Sequence, residues 1–297
     1  MIKTDADTRP AFSSISLDRR DDIRVDPAKL HWFFKDSRAV RLVLDGLDPA
    51  VDEGQLVREP IPRSDSVDDY ILLGQQADER PLFVALRRDI PHGGQFAPRV
   101  WEAATELSSE ELSLYGCARS LVDWHARHGF CAVCGSPTLP VKAGWARKCG
   151  GCGAEHFPRV DPVVIMLAEH DGRVLIGRQP RFPAGRYSAL AGFVEPGETF
   201  EGAVIRELFE EAGVRARDVR YVMDQPWPFP SSLMIACMAQ VDDDRLTLDT
   251  TEIEDAMWVS ADEVRAALAG HADARFIAPP RMAVARHLLL HWVNQQP

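Results

Sequence analysis

Three glutamates lie close together near the middle of the C-terminal half of the chain. Glu207, Glu210 and Glu211 are three and four positions apart, so a helix would place them on one face. Like charges at this spacing destabilise a helix by roughly 0.2–0.5 kcal/mol per pair. A hard divalent cation such as Mg²⁺ or Mn²⁺ removes that repulsion, because carboxylate oxygens are its preferred ligands. The pattern therefore predicts a cation site that neutralises a diphosphate and activates water for attack on phosphorus. The alternative is an amphipathic helix with a solvated acidic face.

The residues around the glutamates predict the helix and its neighbours. We expect a helix over residues 199–212, ended by Gly213, with Arg206 pairing with Glu210. The turn before the helix should bring Glu198 and the backbone carbonyl of Ala191 near the same ion. The predicted apolar face comprises Val204, Ile205, Leu208, Phe209 and Ala212.

The segment from Gly192 to Val214 resembles the Nudix box at every defined position of that 23-residue pattern. The chain is therefore similar to the Nudix hydrolases, which cleave nucleoside diphosphates linked to another moiety. The resemblance implies that Glu207, Glu210 and Glu211 are the metal-binding and water-activating set, with Glu207 and Glu211 as metal ligands. Which of them acts as the base stays open.

Two C-x-x-C pairs form a second candidate metal site. Cys131 and Cys134 are separated by 14 residues from Cys149 and Cys152, and a glycine follows each pair. Four thiolates can surround one Zn²⁺ and leave no open position, which predicts a structural zinc ribbon. The alternatives are redox disulfides or ordinary buried cysteines.

A proline-aromatic array follows the predicted helix. Three prolines at alternate positions fix their own φ and favour extended backbone before them, which predicts a stiff ribbon that presents flat rings and hydrogen-bonding groups. A polyproline ligand for a partner domain and a rigid connection are the alternatives. The predicted substrate-binding residues of the array are Gln225, Pro226, Trp227, Pro228, Phe229, Pro230, Ser231 and Ser232.

The array resembles the one that marks the NADH pyrophosphatase branch of the Nudix hydrolases, although Asp224 stands in place of its first serine. The resemblance implies that Glu252 is a further metal ligand and that Ala191 and Ala285 contribute backbone contacts to metal and substrate. It also implies that Phe157 and Phe193 flank the bound adenine, with Phe157 supplied by the partner subunit of a homodimer.

The order of motifs along the chain predicts three domains. We expect an N-terminal α+β domain over residues 1–128, the zinc ribbon over 129–156 and a Nudix α/β/α sandwich with a mixed sheet over 157–297. The N-terminal domain should contain a strand over 39–44, a hairpin over 70–86 and a helix over 109–128.

Composition restricts the classes of function. The 297-residue chain has a net charge of −11, which argues against a general nucleic-acid binder, although Arg119–Arg159 holds six Lys/Arg and two Asp/Glu. It has no apolar run long enough to cross a membrane and no apolar core near its start, so we expect a cytoplasmic protein.

The leading hypothesis is hydrolysis of the diphosphate bond of NAD(H) to NMN(H) and AMP, with removal of an NAD cap from RNA 5′ ends as the second expected reaction. Another Nudix specificity, such as ADP-ribose or dinucleoside polyphosphates, is the first alternative. A non-enzymatic zinc-ribbon regulator that binds nucleic acid is the second.

Overall fold

The computed structural model describes residues 9–87, 90 and 98–296. The chain divides into two compact units. One contains the described parts of Met1–Ala11, Asp161–Pro226 and Ser232–Pro297, and the other contains those of Phe12–Val160 and Trp227–Ser231. The N-terminal region and the cysteine pairs thus share one unit. The boundaries predicted after residues 128 and 156 stay a prediction.

The unit that begins at Phe12 has mixed α and β structure. Its helices are α1 (Asp21–Arg24), α2 (Pro27–Phe34), α3 (Pro98–Glu106) and α4 (Ser109–Arg127). Its first eight strands are β1 (Val40–Leu42), β2 (Leu44–Asp45), β3 (Asp48–Pro49), β4 (Val51–Asp52), β5 (Gln55–Leu56), β6 (Arg58–Pro60), β7 (Tyr70–Gln75) and β8 (Pro81–Ala85). The predicted hairpin and long helix are confirmed by β7–β8 and α4, whereas α1, α2 and α3 were not predicted.

A four-stranded sheet in the order β6-β1-β8-β7 supports this unit. Strands β7 and β8 pair antiparallel, and β1 runs parallel to β8. The cysteine pairs lie on a separate three-stranded sheet built from β9 (Thr138–Val141), β10 (Ala146–Cys149) and β11 (Glu155–His156). Short antiparallel strands and tight turns of this kind form a zinc ribbon.

The other unit is built around a six-stranded mixed sheet. Its strands are β12 (Asp161–His170), β13 (Arg173–Arg178), β14 (Leu190–Phe193), β15 (Ala216–Trp227), β16 (Ser232–Val241) and β17 (Asp255–Ser260). Its helices are α5 (Phe200–Ala212), α6 (Ala261–Ala269) and α7 (Val284–Val293). The order is β15-β16-β12-β13-β17, with β14 also paired to β12, and β12 runs parallel to β16.

The period-two alternation of β12 divides the core into two layers. Val164 and Met166 pack in the layer under α5, whereas Ile165 and Leu167 pack in the layer under α6 and α7. Helices therefore cover both faces of the sheet, and the predicted α/β/α sandwich is confirmed. No helix among the described residues is both long and apolar enough to span a membrane.

The predicted apolar face of α5 is wrong at two positions. Val204, Leu208 and Ala212 are fully buried against the sheet, but Ile205 and Phe209 are exposed. A helix can turn only a stripe of its surface toward one sheet, and these two side chains lie at the edge of that stripe. The guanidinium of Arg215 covers the ring of Phe209 at 5.0 Å.

Candidate functional site

Helix α5 carries the glutamates and has sequence-encoded ends. The Thr199 hydroxyl accepts a hydrogen bond from the Gly202 amide, which satisfies one free donor of the first turn. Gly213 adopts φ 73°, a conformation that glycine tolerates without strain, and its amide donates to Phe209. Both ends agree with the prediction to within one residue. The three glutamates therefore lie within one continuous helix, as their spacing predicts.

The carboxylate of Glu207 lies directly over the backbone of β14. A methyl group built on Gly192 would lie 1.9 Å from the Glu207 carboxyl carbon, which is far inside van der Waals contact. Any larger residue at this position would force the Glu207 carboxyl group to move. The glycine that begins the motif therefore leaves room for the acidic side chain.

Arg206 organises the acidic face through a dense set of charge-assisted hydrogen bonds. It donates to Glu198 through Nε at 2.7 Å and Nη2 at 2.9 Å, and to the Phe193 carbonyl through Nη2 at 2.9 Å. Its Nη1 donates to Glu207 at 2.8 Å and to Glu210 at 2.9 Å. The predicted Arg206–Glu210 pair is confirmed, and the structure adds two further carboxylates.

Glu198 is held by Arg206 and by the Glu195 amide, which donates to it at 2.9 Å. Hydrogen bonds from the Arg206 guanidinium and the Glu195 amide together lower the pKa of Glu198 to about 2. Glu198 is thus ionised at neutral pH and holds the Arg206 side chain in position. The proximity of Glu198 to a bound ion stays a prediction.

Glu211 has the least favourable environment of the glutamates. Its side chain is 3% exposed, and its Oε2 atom is buried without a hydrogen-bond partner in the part of the chain that the structure describes. Burial, together with the neighbouring charges of Glu207 and Glu252, raises the pKa of Glu211 to about 8. Burial likewise raises the pKa of Glu207. A buried, unpartnered carboxylate among other carboxylates fits a cation site, because a cation would supply the missing partner.

A loop after β16 brings Glu252 to the same acidic cluster. The Thr247 amide donates to the Ala212 carbonyl at 2.9 Å, and the Asp249 amide donates to the Glu211 carbonyl at 3.1 Å. These bonds fix the loop on the last turn of α5. The exposed side chain of Glu252 then lies close enough to raise the pKa values of Glu207 and Glu211. Sequence reasoning found Glu252 but missed the two amides that position it.

The acidic cluster is wider than the cysteine site. Among the described residues, only the four thiols form a group in which all candidate ligand atoms lie within 4.8 Å of one another. Ala191 is partly exposed in β14, one residue before the glycine that contacts Glu207. Its backbone contact with a metal stays a prediction.

Gln225 is almost fully buried, and its amide group bonds to main chain on both sides. Its Nε2 donates to the carbonyls of Ala11 and Met282, and its Oε1 accepts from the Val284 amide at 2.8 Å. Gln225 therefore joins β15 to the start of α7, where Ala285 is buried in the first turn. Because Gln225 is 1% exposed and both of its Nε2 hydrogens are used within the protein, the structure favours a positioning role.

The predicted extended ribbon is confirmed over Gln225, Pro226 and Trp227 and wrong beyond them, because the array then reverses the chain. Residues 225–227 end β15, residues 228–231 form a turn, and β16 begins at Ser232. The Phe229–Pro230 peptide bond is cis, and the Phe229 amide donates to the Trp227 carbonyl at 2.9 Å. We call the segment Trp227–Ser231 the proline-aromatic turn. Its two rings pack edge to face with centroids 5.1 Å apart.

The remaining predicted substrate residues are accessible to different degrees. Phe157 is 57% exposed, with the Lys142 ammonium 5.0 Å from its ring centroid, and Phe193 is 61% exposed. Pro226 and Pro230 are exposed, and Ser231 and Ser232 are half-buried. Phe157 and Phe193 are each exposed enough to stack on a ligand, and these contacts stay predictions.

The four cysteine thiols form a closed site. The Sγ atoms of Cys131 and Cys152 are 3.7 Å apart, and those of Cys134 and Cys149 are 3.4 Å apart. A tetrahedral zinc ion with Zn–S bonds of about 2.3 Å requires S···S separations of about 3.8 Å, so the residues fit. The His156 ring nitrogen Nε2 lies 3.2 Å from Cys131 Sγ, a contact that sequence reasoning missed.

Two known domain families match this chain. The NADH pyrophosphatase zinc ribbon domain matches residues 126–157, and the NUDIX domain matches residues 158–278. A full-length relative also matches: the chain is 36% identical over 308 residues to the NAD-capped RNA hydrolase NudC of Mycobacterium tuberculosis, covering 95% of this chain and 94% of that protein. The chain belongs to the Nudix hydrolase family. Within it, this Nudix protein carries the zinc ribbon of the NADH pyrophosphatases.

Curated relatives of other lengths are also similar to this Nudix protein. It is 43% identical over 205 residues to the NAD-capped RNA hydrolase NUDT12 of Homo sapiens, a match that covers 66% of this chain and 44% of that protein. The chain thus spans less than half the length of the primate relatives that it matches. A crystal structure of a NUDIX hydrolase from Nitrosomonas europaea is 21% identical, with a TM-score of 0.44, over 56% of this chain and 91% of that one.

Proposed function

We propose that this Nudix protein is a metal-dependent diphosphatase that hydrolyses NAD(H) to NMN(H) and AMP. The observation that carries the proposal is the cluster of Glu207, Glu211 and Glu252, in which one buried carboxylate oxygen has no hydrogen-bond partner among the described residues. The relatives named as NAD-capped RNA hydrolases support a dinucleotide as the substrate.

The chain's own residues account for binding and proton transfer. Glu207, Glu211, Glu252 and the Ala191 carbonyl would hold Mg²⁺ or Mn²⁺, which neutralises diphosphate charge and makes a water molecule more acidic. Arg206 donates hydrogen bonds to Glu207 and Glu210 and so holds both carboxylates in position. One glutamate accepts a proton from the attacking water. The water oxygen bonds to one phosphorus while the bridging P–O bond breaks, which gives two monophosphates.

We further propose that NAD at an RNA 5′ end undergoes the same reaction, leaving a 5′-monophosphate. Phe157, Phe193 and the proline-aromatic turn supply aromatic surface for the two bases of the dinucleotide. The exposure of Phe157 supports a homodimer in which this ring contacts substrate bound to the partner subunit. We also propose a cytoplasmic location, because paired cysteines that hold zinc are typical of reducing compartments.

Substrate competition tests the proposal. Purified protein with Mg²⁺ or Mn²⁺ is incubated with NADH, ADP-ribose, a dinucleoside polyphosphate and NAD-capped RNA, and the products are separated by chromatography. We expect the highest kcat/KM values with NADH and NAD-capped RNA. A preference for ADP-ribose or the polyphosphate would refute the assigned substrate but not the diphosphatase chemistry. Binding of RNA without turnover of any compound would support the regulator instead.

A further inference from the structure

A buried arginine of helix α4 lies against the proline-aromatic turn, and we propose that Arg119 is a positioning residue that sets the shape of this turn for the substrate. The inference rests on the proposed function, since it takes Trp227 and Phe229 as substrate contacts. The sequence before residue 130 carries no recognisable chemical motif. The contacts of Arg119 give that region a part in substrate recognition.

Arg119 makes two kinds of contact with the turn. Its Nε donates to the Pro228 carbonyl at 2.9 Å, and its guanidinium carbon lies 4.8 Å from the centroid of the Phe229 ring. The side chain is 2% exposed, so both contacts are shielded from water. A planar guanidinium with donors in fixed directions can hold a carbonyl and a ring face at once, which an ammonium group does less well. Arg119 therefore fixes both the backbone of the turn and one of its rings.

The arginine is itself held in place from the other side. Its Nη1 donates to the Leu47 carbonyl at 2.9 Å, and the Tyr115 hydroxyl donates to the same carbonyl at 2.8 Å. A long side chain that is tethered at two carbonyls has little rotamer freedom left. The position of the guanidinium, and with it the position of the turn, is thus set before any ligand arrives.

The neighbours of Arg119 on α4 contact the same turn. A methyl group built on Gly116 would lie 3.0 Å from the Phe12 ring and 3.3 Å from the Pro228 ring, so the helix approaches the turn closely there. The Ser120 hydroxyl lies 3.3 Å from the Pro230 carbonyl and donates to it. Phe12 packs edge to face against Trp227 and Phe229 at 6.2 and 6.0 Å. One face of α4 and the Phe12 ring therefore both pack against the turn.

A turn that is already shaped for its ligand loses little conformational freedom on binding. Releasing the turn should therefore weaken substrate binding while leaving the reacting groups on α5 unchanged. Such a change raises KM and leaves kcat nearly constant. A change in KM without a change in kcat distinguishes a positioning role from general destabilisation. Destabilisation would lower the amount of active protein and hence the apparent kcat.

Kinetics of Arg119→Met and Arg119→Lys with NADH test the proposal, with Arg127→Met as the matched control. Arg127 lies two helical turns further along α4, and its side chain pairs with Asp123. We expect KM to rise about tenfold in Arg119→Met and less in Arg119→Lys, with kcat within about twofold. The control should keep the wild-type KM, and all variants should keep the wild-type zinc content.

A double-mutant cycle with Phe229→Leu shows whether Arg119 acts through the turn. If it does, Arg119→Met should raise KM by a clearly smaller factor in the Phe229→Leu background than in the wild type, because only the Pro228 contact then remains to be lost. Independent, multiplicative effects on KM, or an unchanged KM in the single variant, would overturn the proposal. Should Arg119→Met fail to fold, Arg119→Lys and the crowding variant Gly116→Ala undergo the same cycle. If the wild type prefers another diphosphate compound, the proposed substrate is wrong. The same double-mutant cycle, measured with that compound, then still tests the role of Arg119.

Discussion

Glu211→Gln should make the metal-free protein more stable while removing its activity. The carboxyl group of Glu211 is buried beside other acidic groups, and no residue that the structure describes forms a hydrogen bond with its Oε2 atom. A glutamine of nearly the same shape removes the charge and adds donors for the neighbouring carboxylates. The same feature that would bind a cation therefore costs folding free energy when no cation is present.

The size of the effect follows from the pKa of Glu211, which rises from 4.5 to about 8 in the folded, metal-free protein. Below pH 4.5 both the folded and unfolded chains carry this proton, and the group does not destabilise folding. As the pH rises from 4.5 to 8, the unfolded chain releases the proton and the folded chain retains it, so the free energy of unfolding falls. At about 1.4 kcal/mol per pH unit, the loss is on the order of 3–5 kcal/mol at pH 8.

Thermal unfolding in the presence of a chelator for Mg²⁺ and Mn²⁺ measures this difference. At pH 8 we expect Glu211→Gln to unfold about 5–10 °C above the wild type, and at pH 4.5 the two should nearly coincide. Adding Mg²⁺ should raise the wild-type Tm and leave the variant almost unchanged. Glu201→Gln, on the same helix, is the matched control and should shift Tm by at most about 2 °C. A variant that is less stable than the wild type at pH 8, or a difference independent of pH, would refute this reasoning.

Three further predictions concern the residues that surround the glutamates and the ribbon. Gly192→Ala should reduce kcat at least about 100-fold with zinc content unchanged, because its methyl group displaces the Glu207 carboxylate; wild-type kinetics would contradict the close contact. Arg206→Lys should lower kcat about tenfold or more, since lysine cannot bond to three carboxylates and a carbonyl together, and Arg217→Lys on the surface is its control. His156→Phe should weaken zinc binding about tenfold in a competition assay with a chromogenic chelator, and equal affinity would exclude a role for its contact with Cys131.

Local signals explain most of what the sequence predicts correctly. The glutamate spacing, the Thr199 cap and Gly213 each act within one or two turns, so α5 and its acidic face follow from neighbouring residues. The glycine after each C-x-x-C pair likewise predicts a tight turn next to the cysteines. The fold of each unit follows from strand and helix periodicity, whereas the order of the strands in the mixed sheet depends on pairings that no short pattern determines.

Contacts between distant parts of the chain could not be predicted. Arg119 is 109 positions from Pro228, and the Asp249 amide reaches the end of α5 from a loop with no motif of its own. The proline spacing indicates extended backbone locally, but the packing of Phe12 and α4 against the turn decides its path. The exposure of Phe209 was missed because an apolar stripe does not reveal how much of its width the sheet covers.

The most direct measurement compares the wild type with Glu211→Gln in NADH hydrolysis with Mg²⁺ or Mn²⁺, with products quantified by chromatography and mass spectrometry. The diphosphatase account predicts equal amounts of NMNH and AMP from the wild type, and at least about a 1000-fold loss of kcat in a folded, zinc-loaded variant. Absence of both products from the wild type, or turnover unaffected by the substitution, would contradict it.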